Sequence, residues 1–383
     1  MLCPHVSSNL TVLDHKGIRT TGADFVTNAH HKSNIDIIVE TLVDKINFDT
    51  SSSPPRATSV DIIDKDGSTR TIKTRKEIII SGGSYCSPTI LLRSGIGAKD
   101  ELAKHNIDTI VDAPGVGQNL LDHIIVFTFY ETEKEGLTND HLVYHSPDAA
   151  MAAYMLYKET KTGVLSTFPF GAFAFARLDD RLKDEPLWQE AMKNAEEGRD
   201  AMGLTDKQPH IEYFSTELYG GPKQYDQFPI DEKHAFSLIT ELFSPRSKGT
   251  VKLKSKDPKE NPIVDCNYLA DPLDLLVMTE GVRFANEIVT KGKGTKDVVK
   301  GSWPSELTHH TYTKREEWEE HVRKEATTCY HAAGTCKMGE EGDEMAVLDE
   351  KLRVRGTEGL RVIDCSVMPT LHSGHTQVSI YRF

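Results

Sequence analysis

Apolar positions along the chain fall in short runs, and their spacing changes from two to near four in a few defined places. Residues 35–42 (Ile-Asp-Ile-Ile-Val-Glu-Thr-Leu) are rich in β-branched side chains and predict a strand. The Ser-Ser-Ser-Pro-Pro-Arg stretch at 51–56 predicts a loop. Residues 57–65 and 68–73 then predict a hairpin, with Asp66-Gly67 as its turn because glycine accepts a positive φ there. A wholly apolar triplet, Ile78-Ile79-Ile80, ends in Gly82-Gly83 and predicts a buried parallel strand that opens toward a ligand. After it, Ser87 and Pro88 are placed to start a helix, Ile90 and Leu91 give its apolar face, and Gly95 stops it.

Further along, 147–158 predicts a helix with Met151, Met155 and Leu156 on one side. Phenylalanines at 168, 170, 173 and 175 predict core. Strands are predicted at 211–216, 234–243 and 249–255, together forming an antiparallel sheet. Asp271-Pro272 reads as cap and first turn of a long helix, on which Leu275, Met278, Val282, Ala285 and Val289 share a face. Thr313 and Glu316 have the spacing of a capping box, before a helix that places Trp318 and Val322 on one side. Gly359 to Asp364 predicts a buried strand ending in a carboxylate.

Composition changes this picture only by exclusion. The 383 residues suffice for two domains. A net charge of −13 argues against a nucleic-acid partner, since phosphates would be repelled. No apolar run reaches the roughly eighteen residues of a membrane span, and no signal peptide is evident, so the compartment stays open. The six cysteines (3, 86, 266, 329, 336 and 365) include no Cys-x-x-Cys pair, so neither a zinc site nor any other metal site is expected. A disulfide is not indicated. Asn9-Leu10-Thr11 fits a glycosylation acceptor triplet.

Two histidines stand beside very small residues. His331 precedes Ala332-Ala333-Gly334-Thr335, and His375 lies in Ser373-Gly374-His375-Thr376-Gln377. Small residues let backbone lie close to a flat ligand, and a neutral imidazole is a ready proton acceptor. Packing alone would also explain each of them. Gly115-Val116-Gly117 is not a dinucleotide fingerprint, because the third glycine is absent and Pro114 stands where a strand should end.

Four stretches, taken in order, resemble the glucose-methanol-choline (GMC) family of flavin-dependent oxidoreductases. They are Gly83–Gly97, Gly115–His123, Tyr330–Gly339, and Val347 through Arg353-Val354 and Gly359–Pro369 to Gly374–Gln377. Ser244–Thr250 and Asn267–Leu269 are weaker echoes. The resemblance implies an α/β (α+β composite) fold: an incomplete Rossmann-like FAD-binding domain at 1–125 and 339–383, and an antiparallel-sheet substrate-binding domain at 126–338. It implies FAD as cofactor, a small-molecule alcohol as substrate, and oxidation of a CH–OH donor to a carbonyl. By resemblance His331 is the catalytic histidine and His375 its partner, while Val43, Asp364, Cys365 and Gln377 contact the cofactor. Arg353 and Val354 lie by resemblance on the oxygen side of the pocket. The family's GxGxxG segment and final helix have no counterpart here, so the match covers the later part of a family member. The chain is therefore expected not to retain FAD unaided. Two further readings share the motifs: an FAD-free inactive paralogue, and a lyase built on the same fold.

Overall fold

The computed structural model describes residues 2–3, 16–19, 22, 24, 34–133, 136–143, 148–167, 170–219, 233–304 and 306–381. The Asn9 triplet and Phe168 lie outside the described residues. The chain divides into two compact units, one made of 1–32, 124–246 and 269–327, the other of 33–123, 247–268 and 328–383.

The first unit is built on an antiparallel sheet. Its strands run in the order Leu2–Cys3, Phe170–Ala176, Ile211–Thr216, His234–Leu242, Ile124–Thr132 and Val299–Ser302. Two of the three predicted strands pair there in register, from Ile211 opposite Leu242 to Thr216 opposite Ser237. Ile124–Thr132 is buried at nearly every position, so it shows no alternation. The helix Pro272–Lys291 covers the sheet. Asp271 caps it by accepting from the Leu273 N–H, and all five residues of its predicted face are buried. Close approach is set by Gly281: a Cβ there would stand 3.0 Å from Ile211 and 3.1 Å from Thr240. Tyr213 donates its hydroxyl to the Gly281 carbonyl at 2.9 Å, fixing the same contact.

A second helix, Arg315–Glu325, buries Trp318 and Val322 as expected. Its cap lies one residue later than the sequence suggested. Glu317, not Glu316, reaches back, accepting from the N–H groups of Thr313 and Lys314. One buried carboxylate of this unit is held by four donors. Asp200 accepts from Arg177, from His210 and from the N–H groups of Met202 and Leu204. Burial opposes its ionisation, but these donors hold the carboxyl down to about 2. The helix at Ala149–Thr160 forms as predicted, yet Met151, Met155 and Leu156 are exposed.

In the second unit the strands Leu42–Asp49, Arg56–Ile63 and Thr69–Lys73 form a three-stranded antiparallel sheet. The hairpin turn is where it was expected, with Gly67 at φ 85°. The strand predicted at 35–42 instead begins at Leu42. Ile35, Ile37, Ile38 and Val39 lie in irregular backbone with exposed side chains, and no strand among the described residues pairs with them. Ile78–Ile80 does pair in parallel, with Leu360–Val362. The third predicted strand, 249–255, shortens to Thr250–Lys252 and pairs with Ile263–Asp265, not with the large sheet. One core joins these pieces, centred on Leu91, Leu92, Ile96, Leu348 and Val362.

The helix after Gly82 starts at Gly83, earlier than predicted, and runs to Arg93 with Pro88 inside it. Pro88 has no N–H for the carbonyl of Ser84, one helical turn back. That carbonyl accepts instead from the Thr335 hydroxyl at 2.7 Å. Ser87, expected as the cap, accepts from the Gly82 N–H at 2.9 Å and donates to Asp364 at 2.5 Å. Gly95, at φ 81°, ends the helix as expected.

Buried histidine gives the first unit an acid limit. His309 is 1% exposed, and burial, with His321 and His310 nearby, pushes its pKa from 6.5 to about 3. Between those values the unfolded chain binds a proton that the folded chain refuses, so stability falls as pH falls. Urea unfolding followed between pH 7 and pH 3 should show that loss beginning near 6.5, and His309→Leu should reduce its slope.

Candidate active site

The site lies in the second unit, where residues 328–336 run beside the Gly115–His123 stretch. Leu121 and Ala333 exchange both backbone hydrogen bonds, at 2.9 and 2.8 Å. The Cys329 N–H donates to the His123 carbonyl at 3.0 Å. Gly334, at φ 89°, makes this approach possible, since a Cβ there would fall 2.4 Å from the Asn119 carbonyl oxygen. The small residues after His331 are therefore required by backbone proximity.

Asp122 is the anchor. Its carboxylate is 4% exposed and accepts three hydrogen bonds. The hydroxyls of Tyr268 and Thr328 each donate at 2.5 Å, and the backbone N–H of His331 donates at 3.0 Å. Burial first, then the Asp122 charge, pushes the Tyr268 phenol well above its ordinary range, so it stays a donor. The Thr328 hydroxyl also accepts from the Tyr330 N–H at 2.7 Å. Tyr330 takes a left-handed φ of 62°, and the chain turns there between the two anchored residues Cys329 and His331.

Three imidazoles meet at this turn. His123, fully buried, places Nδ1 2.9 Å from Nδ1 of His331. The His331 and His375 rings stand edge to face, with centroids 4.9 Å apart and planes at 81°. Two ring nitrogens in contact require that one donate. When His331 Nδ1 is that donor, its Nε2 is the unprotonated nitrogen. Asp122, His123, Tyr268 and Thr328 were missed from sequence. Asp122-His123 lies inside a stretch that resembles the family, but an acid-histidine pair there shows no function until the fold brings it to His331.

The other expected residues lie in several places. Cys365 and Asp364 lie close to the His331 loop, since the Gly334 N–H donates to the Cys365 carbonyl at 3.2 Å. Burial raises the Cys365 thiol pKa, so it is a neutral, half-buried thiol. The Asp364 carboxylate accepts from Ser87, from the Gly83 N–H at 3.0 Å and from the Ser366 N–H at 2.7 Å. Gln377 is exposed and opens the short helix that follows His375. Val43 sits in the strand Leu42–Asp49, where its carbonyl accepts from Arg93. Arg353 and Val354 are elsewhere: Val354 is core, and Arg353 lines an open cavity of about 1090 Å³ with Met338, Asp343, Arg355 and Pro369. Neither histidine borders that cavity. Cys86, Cys266, Cys329, Cys336 and Cys365 are all free thiols.

A flat, extended cofactor is compatible with the surface beside the histidines. Gly83, at φ 79°, has no atom within 4 Å of where a Cβ would stand, so its backbone faces open space. His331, His375 and Cys365 are all half-buried.

Comparison with known proteins defines the class. The N- and C-terminal GMC oxidoreductase family models match residues 7–125 and 245–383. The chain belongs to the GMC oxidoreductases, a family of FAD-dependent enzymes that act on CH–OH donors. It is 32% identical over 362 residues to the glucose methanol choline oxidoreductase atC of Aspergillus terreus, covering 94% of this chain and 55% of that protein. It is 31% identical over 371 residues to a glucose dehydrogenase [FAD, quinone] of Drosophila melanogaster, covering 94% and 53%. A solved formate oxidase of Aspergillus oryzae superimposes with a TM-score of 0.87 at 29% identity, covering 96% of this chain and 62% of that one. The chain thus spans a little over half the length of the curated relatives it matches.

Removing the Asp122 carboxylate strands two hydroxyls and a backbone N–H. Asp122→Ala should cost roughly 3 kcal/mol or more of stability, and Tyr268→Phe only about 1–2 kcal/mol. Urea denaturation of both variants against the parent chain checks this order.

Proposed function

We propose that this chain carries the proton-transfer residues of an FAD-dependent oxidoreductase that converts an alcohol to a carbonyl. The observation that carries the reading is the edge-to-face His331–His375 pair, with His123 against Nδ1 of His331. In this reading the unit containing the pair is the flavin part, and the antiparallel-sheet unit is the substrate part.

His331 takes the hydroxyl proton at Nε2, while its Nδ1–H donates to His123 and keeps that tautomer in place. His375 holds the alcohol oxygen and stabilises the alkoxide charge that develops on it. Bound FAD would supply a hydride acceptor. Asp364, Cys365 and Gln377 would border it near the histidines, with the Val43 backbone on its adenine side and Arg353 and Val354 toward the oxygen side. Asp364 has spent much of its hydrogen-bonding capacity within the fold, so its part would be to hold Gly83 and the Cys365 turn in position.

The test uses the purified chain with FAD kept in excess, under anaerobic conditions. Addition of an alcohol should bleach the flavin bands, and His331→Ala should slow bleaching on the order of 10²-fold or more. No bleaching with any alcohol would reject the reading. Carbonyl release from a cyanohydrin without flavin reduction would replace it with the lyase reading.

A further inference from the structure

The same turn holds a second chemistry. A ring nitrogen of His331, a ring nitrogen of His375 and Cys329 Sγ all lie within 4.8 Å of one another, and all three residues are half-buried. We propose that Cys329, His331 and His375 form a binding site for a thiophilic divalent cation, with Zn²⁺ as the best fit. The proposal stands on this side-chain cluster and does not depend on the redox reading.

The donor set has the right chemistry. One thiolate and two imidazoles suit Zn²⁺ or Co²⁺, and would discriminate against Mg²⁺ and Ca²⁺, which prefer oxygen. Zinc bond lengths of about 2.3 Å to sulfur and 2.0–2.1 Å to nitrogen put neighbouring donors roughly 3.3–3.8 Å apart in a tetrahedron. The three donors therefore need to close by at most about 1.5 Å, which side-chain rotation can supply. Three protein ligands leave the fourth position for water, the pattern of an open site.

The scaffold is set before any ion arrives. The Cys329 N–H is tied to the His123 carbonyl and the His331 N–H to Asp122, at 3.0 Å each. The two ligands of the Cys-x-His segment are thus anchored to consecutive residues, on either side of the Tyr330 turn. Behind His331, Nδ1 of His123 takes the outer position that a metal-bound imidazole uses to fix its tautomer. The absence of Cys-x-x-Cys spacing did not reveal this site, because its third ligand comes from a distant segment.

Binding forms a metal–sulfur bond and two metal–nitrogen bonds, displaces water from the ion, and releases the Cys329 thiol proton to solvent. It also occupies the lone pair that His331 would use as a base. Proton abstraction and metal binding are therefore mutually exclusive states of one site.

The test is a Co²⁺ titration of the reduced, untagged chain without oxygen. The expected result is a near-ultraviolet thiolate-to-cobalt band together with the visible bands of a tetrahedral ion, both erased by added Zn²⁺. Cys329→Ser should remove the near-ultraviolet band. His375→Asn should weaken binding by more than the ~10–100-fold typical of losing an outer-sphere partner. No near-ultraviolet band in the parent chain would overturn the proposal, whatever the variants do. So would a band that survives both substitutions.

Discussion

One buried carboxylate sets the geometry of the site. Asp122 takes hydrogen bonds from Tyr268 and, in a second distant segment, from Thr328 and the His331 backbone. A charge at this depth is stable only if its lone pairs are filled. Filling them compels Tyr268, Thr328 and His331 to converge on one point. The adjacent residue, His123, then meets the His331 ring, and the left-handed turn at Tyr330 follows from the anchoring on both sides. The placement of the imidazole pair is thus a result of satisfying a charge.

Much of the local structure could be read in the sequence. The hairpin around Asp66-Gly67, the cap at Asp271, the face of the 272–291 helix and the stop at Gly95 follow from turn chemistry and spacing, and they form as read. The failures share one cause. Ile35–Val39 has strand composition but no partner strand among the described residues, and Ser87 has a cap's composition but a distant partner, Asp364. Local signals report what a residue prefers, while these outcomes were set by what another part of the chain offered.

The site shows the same division. His331 and His375 were visible through the small residues around them and through the family resemblance. Asp122, Tyr268 and Thr328 were not, because no single stretch relates them. The cation site proposed at Cys329 would escape a sequence search for a similar reason: metal-ligand spacing along one stretch does not see side chains brought together from two. Arg353 and Val354, expected together from the family resemblance, both line a smaller cavity of about 330 Å³, Val354 from the core and Arg353 also at the larger open one.

The proline in the Gly83–Arg93 helix bears on the order of assembly. The carbonyl that Pro88 leaves without its helical donor is filled by Thr335, 251 residues later, and Ser87 waits for Asp364, 277 residues later. A ribosome delivers the helix long before either partner exists. Contacts of such separation close late and slowly, because the intervening chain must first be brought together. This helix can fold early in outline, but its start is completed only once residue 364 has been made. The segment beside the histidine pair is therefore among the last parts of the unit to become fixed, and an interrupted or slowed synthesis would leave that segment unfinished.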